Sequence, residues 1–195
     1  MSTTLIITKD MLDAYNEYVG DADVTAWPGH IEISASLGVV SFKTSLAATG
    51  CIRALAGSGI KAGLGIKAGW GIEAGSGIKA GEGIQAGWGI EAGLGIEAGE
   101  GIQAGEGIKA GEGIQAGDGI KAVWGIEAGL GIEAGEGIEA GFSIVAKHIS
   151  ARLRIFAGLC MWRVPDPSEM EIRGEIRSGT IAHGTHVVPA AKEAA

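Results

Sequence analysis

Ile78-Lys79-Ala80-Gly81-Glu82-Gly83-Ile84-Gln85-Ala86-Gly87-Trp88-Gly89-Ile90-Glu91-Ala92-Gly93-Leu94-Gly95 is three copies of one six-residue unit. The unit recurs without a break from Ile60 to Ala146, with isoleucine at fifteen positions and alanine two residues after each. A strict short period is the mark of a solenoid, in which each coil stacks on the one before. Six residues match neither a heptad nor a two-helix repeat. They do match a coil of short strands. Ile and Ala at i and i+2 share one side of an extended strand, and the Lys, Glu or Gln between them faces water. Gly-x-Gly then supplies a corner, where glycine's access to positive φ allows a sharp bend.

The residue x tests this reading. It is Glu82, Glu100, Glu106, Glu112, Asp118 or Glu136 in six units. An apolar interior cannot hold so many carboxylates, so the glycines must turn x outward and leave a core of Ile and Ala. Sorted with a period of eighteen, x falls into columns. One reads Leu64, Glu82, Glu100, Asp118, Glu136; a second Trp70, Trp88, Glu106, Trp124, Phe142; a third Ser58, Ser76, Leu94, Glu112, Leu130. An acidic column and an aromatic column separate, which points to three units per triangular turn. Ile60 to Ile144 then makes about 4.7 turns, a rod roughly 22 Å long at about 4.8 Å per coil.

The periodic Ile with small residues between resembles the hexapeptide-repeat proteins, which implies a parallel β-helix with left-handed coils. The chain departs from that pattern in having Ala at i+2 and Gly at i+3 and i+5. Other parallel crossovers are right-handed, and the sequence leaves the hand open. The expected fold is all-β: a parallel β-helix of about eighteen residues per triangular turn, with an N-terminal α/β cap (1–51), the repeat (52–146) and degenerate coils or a C-terminal β cap (147–195). Within the first segment, Leu5-Ile6-Ile7 reads as a strand. Thr8 reads as an N-cap for a helix over about Asp10 to Val19, with Met11, Leu12, Tyr15, Tyr18 and Val19 on one face. Val24 to Trp27 reads as extended, and Ile31–Ala35 and Val39–Phe42 alternate as strands. Beyond the repeat, Ile155 and Met161 return to the six-residue beat before Pro165-Asp166-Pro167 breaks it, and 189–195 reads as a frayed tail.

The chain has 195 residues, 36 glycines and a net charge of −8. Between residues 60 and 144, five lysines stand against twelve carboxylates, a net of −7. That charge makes nucleic acid a poor direct ligand. Met1 to Val19 lacks a basic start with a long apolar run, and no stretch approaches eighteen apolar residues, so a cytoplasmic protein off the membrane is expected. Cys51 and Cys160 flank the repeat, too far apart on this reading to bridge. Two free thiols suit a reducing compartment.

Two surfaces are candidates for function. Glu82, Glu100, Asp118 and Glu136 either keep a glycine-rich rod soluble or form a carboxylate ladder that imitates a phosphate backbone, at about half the charge density of duplex DNA. Acidic solenoids of other repeats act as DNA mimics, a likeness at the level of fold. Trp70, Trp88, Trp124 and Phe142 form a stripe that a terminal segment, a second subunit or a partner protein would cover. A non-enzymatic binding protein is therefore expected, without cofactor or metal. Its partner would be a protein, a basic nucleic-acid-binding protein in the most concrete version. There the chain would act as a phage-type inhibitor directed against a host defence, with a homodimer through the aromatic stripe left open. The alternatives are a self-assembling structural rod and a hexapeptide acyltransferase relative, for which the resemblance makes His148 the residue to suspect. His183-x-x-His186 is at most half of a zinc site. Ranks of threonine for ice and repeated aspartates for calcium are both missing from the repeat.

Overall fold

The protein is described here from a computed structural model covering residues 3–188. The described residues form a parallel β-solenoid of about nine turns with ~18 residues per turn. Each repeat unit forms a three-residue strand, such as Ile78–Ala80, Ile84–Ala86 and Ile90–Ala92. Each strand pairs in parallel with its equivalents eighteen residues away, Ile on Ile and Ala on Ala. Three faces result. The first begins with Thr3–Ile7 and Gly29–Ile33, the second with Gly38–Phe42, the third with Leu46–Ala48. All three continue through the repeat. The Ile and Ala columns are buried, and the residue between them is exposed in nearly every unit.

The corners stack as well as the strands. The amide of Gly81 donates to the Ala62 carbonyl at 3.1 Å, and that of Ile60 to the Gly77 carbonyl at 3.0 Å. Even x takes part, Trp88 N–H donating to the Trp70 carbonyl at 3.2 Å. Backbone polar groups are thus satisfied from coil to coil around the corner, as a core without water requires.

The reason for glycine at the corner differs from the expected one. None of the repeat's glycines adopts positive φ; that conformation is confined to Gly38, Gly57, Gly158, Gly174, Gly179 and Gly184 among the described glycines. The constraint is close approach. A Cβ on Gly99 would lie 2.0 Å from the Gly81 carbonyl oxygen, and one on Gly117 would lie 2.0 Å from that of Gly99. The glycine after x is looser, a Cβ on Gly101 lying 3.3 Å from the Gly119 oxygen. Val123 stands where this pattern has the crowded glycine, and nothing in the structure explains the exception. Ser58 is another departure from the outward rule. It is buried at the start of Ser58–Ala62, donates to the Ser34 carbonyl at 2.7 Å and accepts from Leu37 N–H at 3.0 Å.

The N-terminal segment corrects two expectations. No α-helix forms over 10–19; only a 3-10 turn, Lys9–Met11, is present. The Asp13 carboxylate accepts from the amides of Tyr15 and Glu17, and Asn16 takes φ 62°. These side chains hold the chain in a turn and compete with the helix. Leu12 then bridges back to Tyr18, and Glu17 lies along Ser41, which makes the segment part of the first coil's second face. Leu12 is buried while Tyr15 and Val19 are exposed, so the apolar face read as helical is split. Nor is Val24 to Trp27 uniformly extended. Asp23 accepts from Thr25 in a turn, and only Trp27 bridges the third face, at Ala48.

At the far end the coil continues. Ile144–Phe156 wraps all three faces, Glu171–His183 follows it with register shifts, and Thr185–Val187 adds the last described strand. The ladder therefore crosses both boundaries expected at 51/52 and 146/147. The rod is roughly 43 Å long, nine spacings of about 4.8 Å; the repeat supplies the roughly 22 Å expected of Ile60 to Ile144 and the coils on either side supply the rest. The tail expected at 189–195 lies outside the described residues.

Close approach rather than φ makes a sharp prediction. Gly99→Ala is expected to lower stability by about 1–3 kcal/mol, because a carbonyl must be pushed aside. Gly101→Ala, whose neighbour need yield only a few tenths of an ångström, is expected to cost well under half as much. Equal costs in denaturant unfolding would point back to conformation.

Candidate functional site

On the faces, charges pair across coils. Lys79 Nζ lies 2.6 Å from Glu97, Lys121 3.0 Å from Glu139, Lys109 3.9 Å from Glu127, and Arg53 Nε 2.8 Å from Glu73. The three lysine pairs are eighteen residues apart, so the period that sorted x would have found them too. Each is exposed and contributes about 1 kcal/mol at most.

The acidic corner, between the second and third faces, brings its four residues together as expected. The amides of Glu100, Asp118 and Glu136 donate to the carbonyls of Glu82, Glu100 and Asp118 at 3.4, 3.3 and 3.1 Å. All four side chains are exposed. Glu136 comes within 4.0 Å of Arg152; Glu82, Glu100 and Asp118 have no ion pair among the described residues. A groove of about 740 Å³ runs beside them over the third face, lined by Lys67, Gln85, Gln103, Lys121 and Glu139.

The aromatic corner, between the third and first faces, is a stack with one gap. His30 meets Trp70 edge-on at 5.0 Å between centroids, and Trp70 and Trp88 stack at 5.0 Å with planes 9° apart. Glu106 then interrupts, followed by Trp124 and Phe142. The far end is covered by residues that sequence reasoning missed. Between Phe156 and Glu171 the chain leaves the coil, and Trp162 packs edge-on to Phe142 at 6.2 Å while the Arg163 guanidinium lies 4.8 Å over the same ring. Arg163 is held by Glu169 through two hydrogen bonds of 2.6 Å, and Glu169 also accepts from Asp166 N–H at 2.9 Å. A sequence period cannot place residues that leave the coil; the two prolines were the available sign. The terminal segment thus covers Phe142, while Trp88 and Trp124 remain 51% and 48% exposed. A groove of about 620 Å³ on the first face contains both, with Glu106 between them.

The remaining candidates are dispersed. His148 folds over Gly131 with Nε2 3.9 Å from Glu133. His183 Nδ1 lies 2.6 Å from the Ala157 carbonyl oxygen and His186 Nε2 2.8 Å from that of Gly174, so their rings engage different carbonyls. Cys51 and Cys160 are free thiols that follow third-face strands six coils apart, about 29 Å along the rod. Among the described residues no helix is long and apolar enough to cross a membrane, and no three side chains could share a metal ion. Compared with known proteins, the chain matches no family model, no curated protein and no solved structure.

The Arg163–Glu169 clamp carries a pH prediction. The guanidinium's hydrogen bonds, with the Asp166 amide, lower the Glu169 carboxyl from 4.5 to about 2. A depressed carboxyl contributes stability that is fully present above its unfolded value and lost as pH falls through its folded one. Lowering pH from 4.5 to 2 is therefore expected to release Trp162 from Phe142. Trp162 fluorescence in the native chain should report the change in this window, and Glu169→Gln should show the released signal at neutral pH.

Proposed function

We propose that the protein is a binding solenoid that acts through its surface rather than by catalysis. Its acidic corner receives a basic protein, in the most concrete version one that binds nucleic acid. The observation that carries the reading is the contrast between faces and corner. Four face pairs form from coil to coil, though Glu91 stacks on Glu73 and Lys61 on Lys79, whereas Glu82, Glu100 and Asp118 stack in an unbroken acidic row without an ion pair among the described residues. Carboxylates in a row at about 4.8 Å present a linear negative field that an array of Lys and Arg complements. Such a ligand occupies a nucleic-acid channel in place of its normal occupant. That is the action of an inhibitor of the phage type, and the cytoplasm is where it would meet that target.

The binding reading is preferred to the self-assembling rod. Among the described strands, Thr185–Val187 covers Glu171 and Arg173, and the stretch left without a further pairing carries Glu175 and Arg177, 3.6 Å apart. Charged side chains on a terminal strand oppose the edge-to-edge pairing that a filament needs.

The test is affinity capture from lysate at graded salt, read by mass spectrometry. It compares the wild type with Glu82→Lys, Glu100→Lys, Asp118→Lys and Glu136→Lys combined. Nucleic-acid-binding proteins should be enriched by the wild type, displaced by duplex DNA and by salt, and at least tenfold depleted with the variant. Equal capture by both chains would leave the corner with a solubility role.

A further inference from the structure

The aromatic corner has a gap in its stack, occupied at its own coil by Glu106. Trp70 and Trp88 lie parallel at the one-coil distance, so at this corner the coil spacing is handed on to the rings. Trp124 stands on the corner two coils beyond Trp88, about 9.6 Å along the rod, and among the described residues it stacks on no other ring. Between them the corner carries only Glu106, less exposed than Glu82 or Glu100 at the acidic corner. Two exposed indoles on one corner, with a carboxylate at the level between them, line one groove. The groove that contains them also holds Arg53, Glu73, Glu91, Lys109 and Glu127. Arg53 is paired with Glu73 and Lys109 with Glu127, which leaves Glu91 and Glu106 as the carboxylates without an ion pair. The groove is net negative at the slot.

We propose that the Trp88–Glu106–Trp124 slot binds a trimethylammonium group. A nitrogen midway between the two coils lies about 4.8 Å from each indole level, within the roughly 6 Å over which a cation is held by an aromatic face. Methyl carbons about 1.5 Å from that nitrogen reach both rings at ordinary contact, near 3.5–4.0 Å. A flat guanidinium touches one ring and leaves a void at the other. A bare ammonium is too small for both, and is more strongly hydrated. The corner already uses this interaction one coil further on, where the chain's own Arg163 lies over Phe142. The site lies on a different corner from the acidic ladder and stands whether or not that ladder holds a basic protein.

The experiment titrates the full chain with tetramethylammonium chloride against sodium chloride of equal ionic strength, following tryptophan fluorescence. A saturable change is expected with tetramethylammonium alone. Glu106→Gln should weaken it about tenfold, a loss in the range of one desolvated cation interaction. Glu106→Trp should abolish it by continuing the Trp70–Trp88 stack into the slot, with a melting temperature no lower than the wild type's. The proposal is overturned if sodium produces the same change, or if Glu106→Trp still responds. Choline and a trimethyl-lysine peptide separate the sources of the headgroup. Equal affinity indicates a small molecule, and a peptide bound at least tenfold tighter indicates a methylated protein tail. An unmethylated peptide that binds as well as the methylated one would also overturn it. The four-lysine variant of the acidic corner should keep the tetramethylammonium response, so failure at one corner is not mistaken for failure at the other.

Discussion

The contact between a corner glycine and the carbonyl of the preceding coil is the constraint from which the rest of the molecule follows. Parallel strands lie about 4.8 Å apart, and here that spacing is kept around the corners as well as along the faces. At the glycine before x the backbones come so close that a Cβ would lie about 2 Å from an oxygen. One corner position therefore admits no side chain without displacement. The next, x, projects into solvent, and the third has only moderate room. The alternation of hidden and displayed residues is thus a matter of inter-coil distance, and the hydrophobic content of x hardly enters. Leu64, Leu94 and Trp88 are displayed as fully as Glu82.

The same spacing accounts for the interior and for the two ends. Each repeat coil contributes three isoleucines and three alanines, which line a narrow apolar interior, and among the described residues no buried side-chain polar atom lacks a partner. Towards the N-terminal end of the described residues a larger side chain does part of the filling: Phe42 replaces Ala in its column, Leu12 and Val24 are buried, and Tyr18 rests on Phe42 at 5.7 Å. The last described coil ends differently, with charges on its strands and glycines at positive φ at its bends.

The repeat was legible because its period equals a third of a coil. Every column could be written down from residue numbers alone, and so could the outward turn of x. What failed was local. Residues 10–19 have helical spacing, but Asp13 and Asn16 offer the backbone a turn, and a vacant strand edge on Gly38–Phe42 rewards it. Single-chain periodicity registers neither. The far coils were half legible. Ile155 kept the beat and is buried on Ile138, whereas Met161, read on the same beat, is exposed in the segment that leaves the coil, and the register shifts between Ile144–Phe156 and Glu171–His183 hid how many turns they made. For the candidate sites, the two columns were readable, and their modifiers were not. Trp162 and Arg163 reach Phe142 from a segment that has left the coil, and His30 reaches Trp70 from a coil whose repeat is too degenerate to count.

Stacking also makes charge placement a test of purpose. In a solenoid, residues eighteen apart are neighbours, so any column of one sign repels itself. At about 4–5 Å in water each adjacent pair costs somewhat under 1 kcal/mol. The face columns relieve this in part by mixing lysine with glutamate, and ion pairs form across the coils, although Glu73 adjoins Glu91 and Lys61 adjoins Lys79. The acidic corner does not. Glu82, Glu100 and Asp118 stack in succession with no lysine in the column, although the chain places Lys79 three residues before Glu82 and Lys121 three after Asp118. Solubility needs net charge, which the faces could carry dispersed. A run of like charges that folding opposes and solubility does not require is what the proposed basic partner would explain, and the row's linearity is the property such a partner would read.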